Sequence, residues 1–201
     1  YVVKDTIDNK FTISQSTSLA GDTKTIEVAL VGKNALSAES QQALAEALQK
    51  EFKDLFDKYA PAIVGKTAVS FFKQRFQIEG WERAGDWQQV QRRMSSWTRG
   101  GKTVKNPYKG AKLSRKILTG DTGDLGRSIE IMKMSSGSVT IWSRPIGSNK
   151  VYARVHNEGL RAGRGVGFTM PKRQFMGMHP ELNDIIIKEL ERKLKQMLNS
   201  N

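Results

Sequence analysis

The chain has 201 residues, of which 38% are hydrophobic, and this is enough for one sizeable buried core. Its 33 Lys and Arg residues against 20 Asp and Glu residues give a net charge of +13, which predicts an anionic neighbour rather than a particular fold. The absence of cysteine excludes disulfides and thiolate metal sites, and no apolar run reaches the roughly 18 residues that predict a membrane span.

Residues 1–37 are predicted to form an N-terminal β-hairpin extension. Two β-rich runs lie between Phe11 and Gly32, on either side of the turn-forming Ala20-Gly21-Asp22. The remaining residues, 38–201, are predicted to form a single domain.

Two helices are predicted at the start of this domain. Residues 38–60 carry Leu, Phe and Tyr at intervals of three and four, so these side chains fall on one helical face. Pro61 has no N–H and disfavours helical backbone at Ala60, so we expect the helix to stop or kink there. A second helix is expected to end near Gly80. Its core face is predicted to hold Phe71, Phe72 and Phe76.

Residues 81–116 form what we call the basic arm, which is predicted to be a long loop because neither helical nor strand periodicity persists in it. Ten Lys and Arg residues occur here against two acids, Glu82 and Asp86. A short piece from Trp87 to Trp97 could be helical. The arm also holds four aromatic residues, and aromatic rings among cations are typical of single-stranded nucleic-acid binding. These are Trp81, Trp87, Trp97 and Tyr108.

Three glycines at intervals of three follow the basic arm, at Gly120, Gly123 and Gly126. A Walker-type phosphate loop needs Lys and then Ser or Thr directly after the last glycine, whereas Arg127 stands there. A dinucleotide site needs a helix after the glycines, whereas the strand-like SIEIMKM follows. We therefore expect a tight connection with structural glycines.

The last third of the chain predicts a second hairpin, a further basic segment and a helix. SIEIMKM and SVTIW flank residues 135–138, and a bulge is expected between Ile131 and Met132. VYARVHNEG fits a strand or a helical turn equally well, and residues 161–169 form a glycine-rich arm. Residues 150–173 hold six cations and one acid, so the two basic segments account for the whole net charge. The final run from Pro180 predicts an amphipathic helix packed on the sheet rather than on a membrane surface.

His156 and His179 are the only histidines, and neither lies at the spacing of a catalytic triad or a helical metal site. The fold could bring together two of the acids Glu79, Glu82 and Asp86, but no spacing singles out such a pair. We expect structural roles for both histidines. The sequence thus predicts no catalytic residue, no metal, no cofactor and no enzymatic activity.

Four phrases occur in a fixed order between Phe71 and Leu198, and together they resemble the virion morphogenesis, or tail-completion, family of tailed bacteriophages. The first combines Phe76 with Gly80-Trp81. The others are Ile117-Leu118 with Thr122-Gly123, Leu125 and Ser128-Ile129; Tyr152-Ala153 with His156 and Gly159; and Met170-Pro171 with Arg173 and Phe175-Met176-Gly177.

The resemblance implies an α+β fold with a small, mostly antiparallel sheet. A long helix of the N-terminal half and a C-terminal helix are expected to pack on this sheet, and long basic loops are expected around it. It also implies a fold-junction motif at the second phrase. This motif comprises Thr122, Gly123, Leu125, Ser128 and Ile129.

The resemblance further implies a structural protein of the virion, assembled in the bacterial cytoplasm, that completes the tail end or joins head to tail. Its expected partners are other tail, neck or portal-proximal proteins and further copies of itself in a ring, with no membrane. Candidate subunit or DNA contacts are Arg92, Arg93, Arg99, Lys102, Lys105, Lys109, Arg161 and Arg164. The alternative is a nonspecific nucleic-acid-binding protein that uses the basic arm, and it predicts steep salt dependence.

Overall fold

The computed structural model describes residues 2–6, 10–16, 23–29, 37–120, 122–145 and 151–199. The chain divides into two compact units, Tyr1–Lys53 and Asp54–Asn201. Helices and short antiparallel sheets make it an α+β protein, which confirms the predicted fold class. The described strands form four separate small sheets rather than one.

The first unit contains a three-stranded antiparallel sheet. Its strands are β1 (Val2–Thr6), β2 (Lys10–Ser16) and β3 (Thr23–Ala29), in the order β1-β2-β3. Strands β2 and β3 are antiparallel neighbours, and β1, which the sequence pattern does not predict, adds a third strand. The predicted turn at residues 20–22 lies outside the described residues.

The predicted break at Pro61 takes the form of a π-helical turn. Helix α1 (Ala38–Asp54) is followed directly by the π-helical Leu55–Tyr59 and then by helix α2 (Ala60–Ile78). The N–H of Ala60 donates to the carbonyl of Leu55, a span of five residues. Pro61 therefore lies in the first turn of α2, where a missing N–H is tolerated.

The core of the second unit gathers around the C-terminal half of α2. Phe71, Phe72 and Phe76 are buried there, as the helical spacing predicts. The second hairpin, of β6 (Ile129–Ser135) and β7 (Ser138–Ser143), packs on the same helix. Its register shifts between Ile131 and Lys133, which confirms the predicted bulge.

The C-terminal helix α6 (Pro180–Asn199) packs on α2 and on the π-helical turn. The side chains of Ile131 and Val139 in the hairpin lie against Gly65 of α2, so α2 is the helix that packs directly on this sheet. Leu182 and Leu194 are the buried residues of α6. The Nζ of Lys193 lies 4.1 Å from the centroid of the Tyr59 ring, which adds a cation–π contact to this face.

The basic arm contains more regular structure than predicted. Its elements are a 3₁₀ turn (Gln91–Arg93), β4 (Ser96–Arg99), β5 (Lys102–Lys105) and α3 (Ala111–Ser114). The helix expected between Trp87 and Trp97 is limited to the 3₁₀ turn. Gly100 and Gly101 join β4 to β5 with φ of 55° and 73°, the conformation that two-residue hairpin turns require.

Short elements complete the second unit. They are α4 (Asp124–Arg127), α5 (Val151–Glu158), β8 (Arg161–Ala162) and β9 (Phe168–Thr169). The sequence pattern of VYARVHNEG fits a strand or a helical turn equally well, and the structure shows that this segment is helical. None of the helices in the described ranges has the length and apolar character needed to cross a membrane.

Candidate interaction surface

Two tryptophans fix the start of the basic arm to the core. Trp81 and Trp87 are buried, and the indole N–H of Trp87 donates to the carbonyl of Gln174 at 2.9 Å. The ring of Trp87 also meets Phe76 edge to face, with centroids 5.6 Å apart. Both tryptophans are therefore core residues that no base can reach, and of the four aromatic residues of the arm only Trp97 and Tyr108 remain accessible to a ligand.

A tight turn connects α2 to the arm. The carboxylate of Asp86 accepts hydrogen bonds from the backbone N–H groups of Trp81, Glu82 and Arg83, at 2.8 to 3.2 Å. Gly80 has no room for a side chain, because a Cβ there would lie 1.8 Å from the carbonyl oxygen of Arg83. Asp86 thus shapes the backbone of this turn.

Glu79, just before the arm, binds both Arg93 in the middle of the arm and Ile117 just after it. The two carboxylate oxygens of Glu79 each accept a 2.7 Å hydrogen bond from Arg93, and one of them also accepts the backbone N–H of Ile117 at 2.6 Å. Burial raises the pKa of Glu79, but these hydrogen bonds and the charge of Arg93 outweigh it and hold the pKa below its usual range. Arg93 also donates to the carbonyl of Arg115. The sequence marks Glu79 as one of three nearby acids, but its spacing gives no sign of this role.

Arg92 joins the middle of the arm to its last two residues. Its guanidinium donates to the carbonyls of Arg115 and Lys116, at 2.9 and 3.0 Å. Burial lowers the pKa of Arg92, and so do the nearby charges of Arg93 and Arg115. The structure therefore gives two of the eight candidate contact residues, Arg92 and Arg93, an internal structural task.

The other six candidate cations are exposed. They are Arg99, Lys102, Lys105, Lys109, Arg161 and Arg164. In the β4–β5 hairpin Trp97 pairs with Val104 and Arg99 pairs with Lys102, so these four side chains share one face. The hairpin thus presents an aromatic ring beside two cations.

The glycine-rich arm adds exposed apolar residues to the surface. Val166 and Phe168 are 86% and 57% exposed. The guanidinium of Arg161 donates to the carbonyl of Val166 and so holds the loop closed. Exposed apolar side chains beside cations are typical of a surface that contacts other proteins.

The fold-junction motif is a structural connection, as expected. Gly123 adopts φ 70° and precedes α4, and Leu125 and Ile129 are buried against the core. The hydroxyl of Thr122 accepts the N–H of Asp124, and that of Ser128 donates to the carbonyl of Leu125. The three glycines of this segment form a turn and a short helix rather than a loop around a phosphate.

Asn157 joins α5 to the segment before the last helix. Its side-chain oxygen accepts the backbone N–H groups of Phe175 and Met176, both at 2.9 Å, and its side-chain N–H donates back to Met176. Nearby, the buried Arg173 donates twice to the carbonyl of Gln88. These contacts join the third and fourth phrases of the family resemblance, and they also attach the basic arm.

The two histidines have structural surroundings. Burial lowers the pKa of His156 to about 4, and the charge of Arg173 adds to this, so the ring is neutral at pH 7. The Nδ1 of His179 accepts the N–H of Glu181 and thereby caps the start of α6. His179 also packs between Phe71 and Trp81, with centroids 5.0 and 5.1 Å away. Within the described ranges no three His, Asp or Glu residues are grouped to hold a metal ion.

Comparison with known proteins identifies the family. A sequence model of the phage virion morphogenesis family matches residues 39–195. The match includes α1 from its second residue and every later helix and strand except the last four residues of α6, and it leaves out the N-terminal sheet. No significant match to this chain was found among curated proteins or among solved structures.

Proposed function

The chain belongs to the phage virion morphogenesis family, and we propose on this basis that it is a structural protein that completes the tail end or joins head to tail. Family membership gives it a role in building the phage particle. The proposed partners are other tail, neck or portal-proximal proteins and further copies of the chain in an oligomeric ring. In this proposal the protein acts by binding and not by catalysis.

The construction of the basic arm is the observation that best supports this proposal. The base of the arm is fixed to the core by Trp87 and by the Glu79–Arg93 clamp, while its cations at Arg99 and Lys102 remain exposed. A surface that is ordered before binding loses little conformational entropy when a partner docks on it. This is the property that a rigid joint between particle parts requires.

A complementation assay tests the proposal. In lysates of a phage that lacks this protein, adding the purified wild-type chain should restore joined, infectious particles. The variant Arg99→Glu/Lys102→Glu should restore far fewer of them, because it reverses the charge of the hairpin face. The variant Lys188→Glu/Lys195→Glu makes the same charge change at exposed positions of α6 and should restore as many as wild type.

The proposed oligomeric ring can be tested by measuring the mass of the protein in solution. Light scattering of the purified protein should give at least twice the 22.5 kDa chain mass. A strict monomer that also fails to complement would overturn the proposal.

Nonspecific nucleic-acid binding is the second candidate, and the shared hairpin face of Trp97, Arg99 and Lys102 favours it. Log affinity for DNA should then fall against log salt by about 0.7 to 0.9 per phosphate neutralised. Arg99→Ser/Lys102→Ser should weaken this binding. Unchanged binding at low salt would remove the hairpin from this candidate function.

A further inference from the structure

The basic arm borders an open pocket of about 390 Å³. Three cationic side chains, those of Arg92, Lys112 and Arg115, line it together with the ring of Tyr108. We propose that this pocket binds a phosphate group of a nucleic-acid backbone. The inference rests on the second candidate function above and gives it a defined site.

The lining of the pocket is cationic. None of the described residues that line it is an Asp or a Glu. Glu79 is the acid whose charge acts on Arg92, and its two oxygens are already occupied by Arg93 and by the N–H of Ile117. An anion that entered the pocket would therefore meet cations without displacing Glu79 from its partners.

Arg92 lies among other cations and is not fully hydrogen-bonded. Its bonds go to two neutral carbonyls, and its Nε–H is buried with no hydrogen-bond partner among the described residues. Burial is the main cause that lowers the pKa of Arg92, and the charges of Arg93 and Arg115 lower it further. The charge of Arg92 also helps to lower the pKa of Arg173. A bound oxyanion would relieve this repulsion and would accept charge-assisted hydrogen bonds.

The surroundings of the pocket favour a polyanion over a single carboxylate. Lys105 and Lys109 are exposed and lie within three residues of Tyr108 in the sequence, so a chain of phosphates would find further cations on this part of the arm. The ring of Tyr108 is 43% exposed at the pocket and is available for stacking with a base.

Fluorescence anisotropy with a labelled thymidine oligonucleotide of about 15 nucleotides tests the proposal. Lys112→Gln/Arg115→Gln should bind about tenfold more weakly than wild type at low salt, since a charge-assisted hydrogen bond contributes on that order. The slope of log affinity against log salt should become shallower by about 0.7 for each phosphate that the variant no longer neutralises. Lys188→Gln/Lys195→Gln removes the same charge at exposed positions of α6 and should bind like wild type.

A second measurement uses only the wild-type chain and so does not depend on the folding of a variant. In a titration with dimethyl phosphate followed by NMR, the Nε–H signals of Arg92 and Arg115 should shift, while that of the exposed Arg144 should stay fixed. Stationary signals for Arg92 and Arg115 would overturn the proposal.

The outcomes separate the pocket from the function on which it rests. If Arg99→Gln/Lys102→Gln loses binding while the pocket variant binds like the α6 control, the pocket inference is overturned and the hairpin remains the binding site. If wild type does not bind the oligonucleotide at low salt, the inference and the second candidate function both fail.

Discussion

At the scale of single residues, Glu79 organises the basic arm. It ends α2 in a left-handed conformation, with φ 55°, and its carboxylate reaches both Arg93 and Ile117. Nothing local in the sequence reveals this, because the partners lie 14 and 38 residues away. An acid near the end of a helix is visible in the sequence, but its role depends on where the chain returns.

We expect Glu79→Gln to lower the free energy of unfolding by about 1 to 3 kcal/mol, because it breaks a largely buried, hydrogen-bonded ion pair. Urea denaturation measures this, and Glu82→Gln at an exposed position should change it by less than about 0.5 kcal/mol. The low pKa of Glu79 means that its contribution is present above the ordinary Glu pKa and is lost as pH falls through the folded value. Equal effects of the two substitutions would contradict the clamp.

His156 should make the free energy of unfolding depend on pH between about 4 and 6.5, which is a higher range than that of Glu79. Its pKa is about 4 in the folded chain against an ordinary 6.5, so between these values the unfolded chain binds more protons. The free energy of unfolding should therefore fall by on the order of 3 kcal/mol as pH drops from 6.5 to 4. Denaturation curves of wild type and His156→Phe measure this, and the variant should show a flatter profile. The same profile for both proteins would show that His156 does not titrate as described.

At the scale of elements, the helices could be predicted and the attachment of the arm could not. The burial of Phe72 and Phe76 follows from spacing within one helix, which is a local property of the sequence. The burial of Trp87 depends on Gln174, which is 87 residues away. Composition alone therefore predicts the same exposed role for all four aromatic residues of the arm, although two of them belong to the core.

The core face of α2 is tested by truncation. Phe72→Ala should cost about 2 to 5 kcal/mol of unfolding free energy, the usual range for emptying a buried site. Leu190→Ala should cost less, because Leu190 is only half-buried on α6. Thermal or urea denaturation measures both, and normal stability of Phe72→Ala would refute the described core.

The turn into the basic arm is tested at Gly80. Gly80→Ala should cost more than about 2 kcal/mol, because the new Cβ meets a backbone carbonyl that cannot simply rotate away. Gly100→Ala is the matched control: Gly100 has φ 55° in the β4–β5 turn but open space around its Cβ, so only the left-handed backbone conformation should cost, by about 1 to 2 kcal/mol. If Gly80→Ala were the milder change, the turn at residues 80–86 would not have the described geometry.

At the scale of the whole molecule, the distribution of charge and the family assignment point in the same direction. The net charge of +13 lies entirely in two segments, and most of their candidate contact residues are exposed on ordered protein surface. The segregation of charge can be read from the sequence, whereas the exposure of these side chains depends on the fold. The family, recognised from four short phrases, is confirmed by a match that extends to residues 39–195.

Locating the protein in the particle tests the central claim most directly. Purified virions that carry the chain with a small C-terminal tag can be labelled with gold-conjugated antibody and imaged by electron microscopy, with untagged virions as the control. The proposal predicts gold at a single site, either the head–tail junction or the tail end, in most tagged particles. Purified virions that lack the protein, or gold spread over the capsid, would contradict it.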